Sequence, residues 1–324
     1  MTLEEFLAEW HNDRPVIQVK TSGSTGAPKQ MMVEKQRMLN SARITCDFLG
    51  LQPGDTALLC MSLDYIAGKM MVVRALERHL RLITVEPSGH PLCVAPNDQT
   101  AISFAAMVPL QVYNSLQVPA ARERLMQIRH LIIGGGAIDD ALADALRDFP
   151  NAVWSTYGMT ETLSHIALRR LNGPEASDWY TPFPSVRLSL SPDDCLIIDA
   201  PEVCATPLVT NDIAVFSLTN NPCFRILGRK DNTICSGGLK IQAEELERQL
   251  RSHLREPYII TKRPDEKFGE IVVLLTEGPV DEVRQVCERF LPKFHQPRAY
   301  VHVDHIPLTP TGKPARREAE KLAV

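Results

Sequence analysis

The sequence predicts an α/β fold: a large N-terminal domain made of a parallel sheet and a barrel-like β subdomain, followed by a small, mobile α+β C-terminal domain. Three observations carry this reading. The 324 residues exceed one ordinary domain and suffice for about two. Strand-like apolar runs alternate with amphipathic helical patterns through the first half, which is the rhythm of a doubly wound sheet. The pattern then changes twice, near Thr181 and again after Arg229.

In chain order, Val16 to Lys20 and Gln30 to Val33 read as strands flanking a stretch rich in glycine and hydroxyls. Asp55 to Met61 reads as a strand, Tyr65 to Arg78 as a helix and Leu82 to Val85 as a strand. A helix near Ala120 to Gln127 precedes a strand over His130 to Ile133 that runs into Gly134-Gly135-Gly136. A helix over Asp139 to Phe149 and a strand over Ala152 to Thr156 follow. Between Thr181 and Leu227, short apolar runs broken by Pro, Asp and Asn predict the barrel-like part. Beyond Arg229, the leucines Leu246, Leu250 and Leu254 share one face of a charged helix. Strands over Tyr258 to Lys262 and Glu270 to Thr276, a helix over Asp281 to Leu291 and a strand over Ala299 to Ile306 complete the chain. The expected domains are residues 1–228 and 229–324.

Composition narrows the function. With 44% hydrophobic and 23% charged residues the chain is an ordinary globular protein. Residues 1–228 carry 18 Lys+Arg against 24 Asp+Glu, and residues 229–324 carry 17 against 15, with no basic block in either part. Nucleic acid and membrane insertion are therefore not expected, and a small molecule is the expected partner. The eight cysteines show no C-x-x-C spacing, which argues against a zinc site, and the acidic N-terminus does not resemble a signal peptide. A cytoplasmic location with reduced thiols fits this.

Thr21-Ser22-Gly23-Ser24-Thr25-Gly26-Ala27-Pro28-Lys29 has the chemistry of a phosphate loop. Glycines let backbone amides approach phosphate oxygens, hydroxyls add donors, and the lysine adds a point charge. The spacing is not that of a Walker loop, because Lys29 follows Gly26 after only Ala27-Pro28 and precedes Gln30. Further on stand Thr156-Tyr157-Gly158-Met159-Thr160-Glu161-Thr162, Thr210-Asn211-Asp212, Gly228-Arg229-Lys230-Asp231, Ser236-Gly237-Gly238 and Thr311-Gly312-Lys313. Each alone has a plain structural role open to it: Tyr157 as a core aromatic, Asp212 as a turn former, Arg229 as a surface charge and Lys313 as a solvated tail lysine.

Together and in this order, the motifs resemble those of the adenylate-forming superfamily, which includes acyl-CoA synthetases, peptide-synthetase adenylation domains and luciferases. The resemblance implies ATP, Mg²⁺ and coenzyme A. It assigns Thr21 to Lys29 to the β and γ phosphates, Gly134 to Gly136 to the flank of the adenine, and Tyr157, within the Thr156 to Met159 segment, to stacking on it. Thr160 would be a phosphate-side hydroxyl, Glu161 the Mg²⁺ ligand, Asp212 the ribose acceptor and Arg229 its neighbour. Lys313 would stand between the acid's carboxylate and the α-phosphate. Asp231 would be the hinge of a rotating small domain, and Gly237 and Gly238 would receive the pantetheine arm.

Within that superfamily the pattern is similar to the 2-succinylbenzoate–CoA ligases of menaquinone synthesis, which implies an AMP-forming acid–thiol ligase. Arg74 matches an arginine that there receives a second carboxylate, and Ser164 and His165 suit the same group. Asp64 keeps a different substrate open, since amino-acid adenylation domains place an aspartate near this point for the substrate ammonium. Another acyl or amino acid, or non-catalytic nucleotide binding, therefore remains an alternative. The family usually carries well over a hundred residues before its phosphate loop, whereas 20 precede Thr21 here. An N-terminal subdomain is thus expected to be missing, and a homodimer is one way to cover the flank it would leave.

Overall fold

The computed structural model describes residues 1–20, 30–94, 101–136, 138–218, 223–308 and 314–324. It divides into two compact units: Met1–Leu188 with Ile198–Leu208 and Ser217–Phe224, and Ser189–Ile197 with Val209–Phe216 and Arg225–Val324.

The first unit opens with α1 (Leu3–His11), whose start is fixed by a capping box between Thr2 and Glu5. Strands β1 (Val16–Lys20) and β2 (Gln30–Glu34) pair antiparallel, with Lys20 opposite Gln30, and lead into α2 (Lys35–Phe48). Then follow β3 (Thr56–Leu59), α3 (Ile66–Arg78), β4 (Arg81–Thr84), the short α4 (Pro91–Val94) and β5 (Phe104–Met107). Helices α5 (Pro109–Leu116) and α6 (Pro119–Gln127) each begin on a proline, which loses nothing at a position whose N–H has no helical partner. Strand β6 (His130–Ile133), helix α7 (Asp140–Leu146), and strands β7 (Ala152–Gly158), β8 (His165–Arg170) and β9 (Thr181–Pro182) complete the main sheet.

Among the described residues that sheet has the order β4-β3-β5-β6-β7-β8-β9. It is parallel from β4 to β7 and antiparallel from β7 to β9. The central parallel strands β3 and β5 are buried along their whole length and almost entirely apolar, whereas the edge strand β4 is exposed at both ends. Leu58, Ala105, Leu131 and Val153 from the strands pack with Val112, Leu125 and Leu146 from the helices. The strand order reverses between β3 and β5, where such sheets often bind ligands. Beside it, Gln111 of α5 donates from its buried amide to Cys60 O, just after β3, at 3.0 Å and to Ser88 O at 2.9 Å.

A separate sheet has the order β10 (Arg187–Leu190), β11 (Cys195–Asp199), β12 (Leu208–Phe216) and β13 (Phe224–Arg229). It provides the short strands expected between Thr181 and Leu227.

The rest of the second unit is α+β. Strands β14 (Thr233–Ser236) and β15 (Leu239–Gln242) form a hairpin, followed by α8 (Ala243–Leu250), β16 (Tyr258–Asp265), β17 (Gly269–Thr276), α9 (Val280–Phe290), β18 (Ala299–His302) and α10 (Arg316–Leu322). Strand β17 alternates its contacts. Val272 and Leu274 face the core with Leu246, Leu250 and Val283, while Ile271, Val273 and Leu275 pack against Ala319 of α10 and Ala323 just after it. The helix expected to carry Leu254 ends at Leu250; Leu254 N–H bonds back to Leu250 O in the turn that follows. No helix among the described residues is long and apolar enough to cross a membrane.

Ser236 pairs with Leu239 across Gly237 and Gly238, whose φ values are +58° and +86°. Two positive φ values match the twist of a tight hairpin, and glycine reaches them without steric cost. A Cβ at Gly238 would meet nothing within 4 Å, so its cost is purely conformational. Gly238→Ala should therefore lower stability by about 1–2 kcal/mol, read as a fall in the urea midpoint at unchanged m-value.

Candidate active site

Two expected segments, Thr21 to Lys29 and Thr309 to Lys313, lie outside the described residues. Their stems lie within them. The β1–β2 pairing closes the first at Lys20 and Gln30, and Lys69, buried on α3, donates to Gln18 O at 2.7 Å. The second is closed by a bridge between Leu308 and Pro314, next to a hydrogen bond from Ala315 N–H to Pro307 O at 2.8 Å.

In the first unit the ends of β6 and β7 lie side by side. Gly134 N–H bonds to Met107 O, and a Cβ on Gly134 would collide with Thr156 Oγ1. The chain then turns at Gly135, with φ of +77°, toward Gly136. The Tyr157 ring is half-buried, edge-on to Phe224 at 5.2 Å and tilted to Tyr180 at 5.8 Å, so neighbouring aromatics hold it. Gly158 has no room for a side chain against Ser164 O and His165 Cα.

After Met159, a 3-10 turn over Thr160–Thr162 leaves Glu161 exposed and Thr160 half-buried. Thr162 is its anchor: the hydroxyl accepts from Met159 N–H at 2.9 Å and donates to Ser164 O at 2.6 Å. Leu163 follows at φ +64°, ψ −36°, with Ser164 N–H bonded to Thr162 O at 2.7 Å. This is a γ-turn with a positive central φ, a strained conformation for a leucine. No group of three or more His, Cys, Asp or Glu able to hold a metal occurs among the described residues. A lone exposed carboxylate such as Glu161 suits Mg²⁺ that takes its other ligands from phosphates and water.

The γ-turn brings Ser164 and His165 to Arg74. The Arg74 side chain, on α3, is only 2% exposed, and its Nη2 donates to Ser164 Oγ at 2.5 Å. Ser164 Oγ lies 3.1 Å from His165 Nδ1, and His165 Nε2 lies 3.1 Å from Thr45 Oγ1 on α2. The other contacts of Arg74 are weak: Met71 Sδ at 3.8 Å and the Phe104 ring at 5.9 Å. Its Nε has no hydrogen-bond partner, and no carboxylate pairs with it among the described residues. Burial lowers its pKa to about 10, which still leaves it charged at neutrality. Burial, then the Arg74 charge, pushes His165 well below its ordinary 6.5.

Asp64 does not join this group. It is 53% exposed and accepts from Ser62 Oγ at 3.0 Å and from the Met1 ammonium at 3.1 Å, which holds its carboxyl below the usual range.

In the second unit, Arg229 links two acids. It lies 3.4 Å from Asp212 Oδ1 and 3.0 Å from Asp231 Oδ2, and Asn211 also reaches Asp231. Asp231 sits in a 3-10 turn over Lys230–Asn232. Cys235 is exposed, with its N–H on Glu270 at 2.7 Å.

Sequence reasoning gave no role to Thr45 or to Arg316. Arg316 forks onto Glu247 at 2.7 and 3.0 Å, reaches Ile260 O at 3.1 Å and lies 3.6 Å from Glu244. Burial opposes the Arg316 charge, but the Glu247 carboxylate outweighs it and raises the guanidinium pKa. Its place three residues after Lys313 was the only signal in the sequence.

Residues 5–204 match the family model described as AMP-binding enzyme. The chain is 27% identical over 310 residues to the 2-succinylbenzoate–CoA ligase of Salmonella typhimurium, covering 90% of this chain and 65% of that protein. To the 2-succinylbenzoate–CoA ligase of Lactococcus lactis it is 22% identical over 331 residues, covering 96% and 72%. It thus spans about two thirds of the length of these relatives. Among solved structures it is similar to an acyl-CoA synthetase (AMP-forming)/AMP-acid ligase II-like protein from Dyadobacter fermentans, at 31% identity and a TM-score of 0.67, with 97% of this chain and 91% of that one covered. It shares its fold with the O-succinylbenzoate coenzyme A synthetase of Bacillus subtilis solved with ATP and magnesium ion, at 21% identity and a TM-score of 0.75, covering 93% and 69%.

Two outcomes follow from the ionisation of these groups. The unfolded chain protonates His165 near 6.5 and the folded chain resists, so this contribution to stability is full above that pH and declines on acidification. The slope should reach about 1.4 kcal/mol per pH unit, and His165→Gln should remove its share from denaturant midpoints measured between about pH 7 and 5. Arg316→Met leaves Glu247 without its cation and should cost roughly 3 kcal/mol in the same assay.

Proposed function

The chain belongs to the AMP-binding enzyme family, and from that premise we propose that it is an ATP-dependent acid–CoA ligase whose acid is 2-succinylbenzoate. In the first half-reaction the acid's carboxylate attacks the α-phosphorus of ATP, forming an acyl adenylate and releasing pyrophosphate. Both reactants are anionic, so the reaction requires positive charge where they meet. Lys313 supplies it, while Lys29 and the amides and hydroxyls of Thr21 to Gly26 take the leaving phosphates. Gly134 to Gly136 and Thr156 border the adenine, Tyr157 contacts its face, and Thr160 binds on the phosphate side. Asp212 accepts from the ribose hydroxyls beside Arg229. A magnesium ion held by Glu161 would neutralise the phosphate charge that builds up as pyrophosphate leaves.

In the second half-reaction the CoA thiolate attacks the acyl carbonyl and AMP departs. Rotation of residues 229–324 about Asp231 withdraws Lys313 and brings the Gly237–Gly238 turn to the pantetheine arm.

One observation carries the choice of acid. Arg74 is a buried guanidinium with an unpartnered Nε–H and, among the described residues, no carboxylate beside it. A second carboxylate on the substrate supplies the missing anion, and Arg–carboxylate recognition is strong when desolvated. Asp64, exposed and already held by Ser62 and the Met1 ammonium, gives no comparable support to an amino-acid substrate.

Purified protein given 2-succinylbenzoate, ATP, Mg²⁺ and CoA should release AMP and form a thioester. Absence of AMP release across a panel of aryl acids, despite nucleotide binding, would instead identify a non-catalytic nucleotide-binding protein. Lys313→Ala should lower adenylation by about 10²-fold or more with ATP binding largely kept. Arg74→Gln should raise KM for the diacid by roughly 10- to 100-fold, the loss of a charged hydrogen bond.

A further inference from the structure

The hydrogen bonds around His165 can be given directions. Thr45 Oγ1 lies 3.1 Å from Ser41 O, one turn back on its own helix, and 3.1 Å from His165 Nε2. A carbonyl oxygen can only accept, so the threonine hydrogen goes to Ser41 and Thr45 Oγ1 accepts from His165 Nε2–H. At the other end a guanidinium can only donate, so Ser164 Oγ accepts from Arg74 Nη2. The Ser164 hydrogen then points to His165 Nδ1, which is bare in the Nε2–H tautomer. In this arrangement each hydrogen has one acceptor. The reverse tautomer gives Ser164 Oγ two donors and leaves its own hydrogen with none among the described residues. An imidazolium is disfavoured by burial and by the Arg74 charge.

We propose that Thr45 is a positioning residue for substrate recognition: by fixing the His165 tautomer it commits the Ser164 hydroxyl as an acceptor and so holds Arg74 by Nη2, with Nε–H free for an anion. This rests on the reading of Arg74 as the receiver of the second carboxylate. Thr45 is fully buried, and its hydroxyl is linked to the guanidinium through His165 and Ser164, so it touches no substrate itself. The chain also has a consequence for selectivity. Ser164, its hydrogen already committed, cannot donate to a ligand, so the second carboxylate depends on the aim of Arg74. An acid lacking that carboxylate is indifferent to it.

The test compares Thr45→Val, which keeps the shape and removes the hydroxyl, with Thr45→Ser, which restores it. AMP release is measured with 2-succinylbenzoate and with benzoate as the mono-acid, and the His165 tautomer is read from imidazole ¹⁵N–¹H correlation spectra of the whole protein. Thr45→Val should raise KM for the diacid about ten-fold, the value of one well-placed hydrogen bond. Its kcat should stay within about two-fold, KM for benzoate should not change, and Thr45→Ser should recover the wild-type KM. The wild-type spectrum should show the proton on Nε2, and the valine variant should shift population toward Nδ1–H. Wild-type kinetics in Thr45→Val, an equal loss on both acids, or a wild-type proton on Nδ1 would each overturn the proposal. Should the valine variant fail to fold, the wild-type tautomer and the serine variant decide. Wild-type protein that does not prefer the diacid would refute the assignment of substrate instead, and the spectra would still decide the role of Thr45.

Discussion

The neighbourhood of α3 and the start of β8 is organised by one constraint, a guanidinium held out of water with no carboxylate partner among the described residues. Taking such an ion from water costs several kcal/mol, and an apolar residue of similar volume would often pack at least as well. The proposed second carboxylate of the substrate is what would answer this charge. Burial shapes the groups around it: with the Arg74 charge as a second cause it holds His165 well below its ordinary pKa, and against the Arg74 charge it pushes the Cys46 thiol up to about 11. Among the described residues the side chains in contact with this cation, Ser164, Met71 and Phe104, are uncharged, which strengthens its field in a region of low dielectric.

Much of the fold was legible from periodicity, and the reasons are local. His130 to Ile133 is both the expected and the observed strand, and Asp139, at the expected start of a helix, caps α7 by accepting from Leu142 N–H at 2.7 Å. Leu254 misled because its spacing continues the helical face past the point where the chain turns. The four residues of β5 carry no alternation, being buried on both faces, and gave no signal to separate them from their surroundings. In the candidate site, Arg74, Ser164 and His165 were found through motifs, and the structure brings them together. Thr45 was not, because a threonine inside a helix carries no mark of what lies across the sheet. Asp64 was named for its position in the chain, and its partner, the Met1 ammonium, is a long-range contact that spacing cannot reveal.

Within the second unit one carboxylate, Glu244, stands between Asn232 and Arg316. Asn232, next to Asp231, donates to Glu244 Oε1, and a Cβ on Gly228 would meet Glu244 Oε2 at 2.5 Å. Glu244 also faces Arg316, just beyond the bridge that closes the Lys313 segment. The residue beside Asp231 and the residue just beyond the 309–313 segment thus meet at the same carboxylate.

Leu163 shows how the fold directs Ser164. Its positive-φ γ-turn is an unfavourable conformation for a leucine, and the side chain is nevertheless almost fully buried. The strain bends the chain so that Ser164 points toward α3. Glycine at this position would relieve the backbone but empty the space of a buried leucine, a loss of about 2–5 kcal/mol against a relief of about 1–3 kcal/mol. The apolar burial of Leu163 is thus what holds in place the turn that aims Ser164.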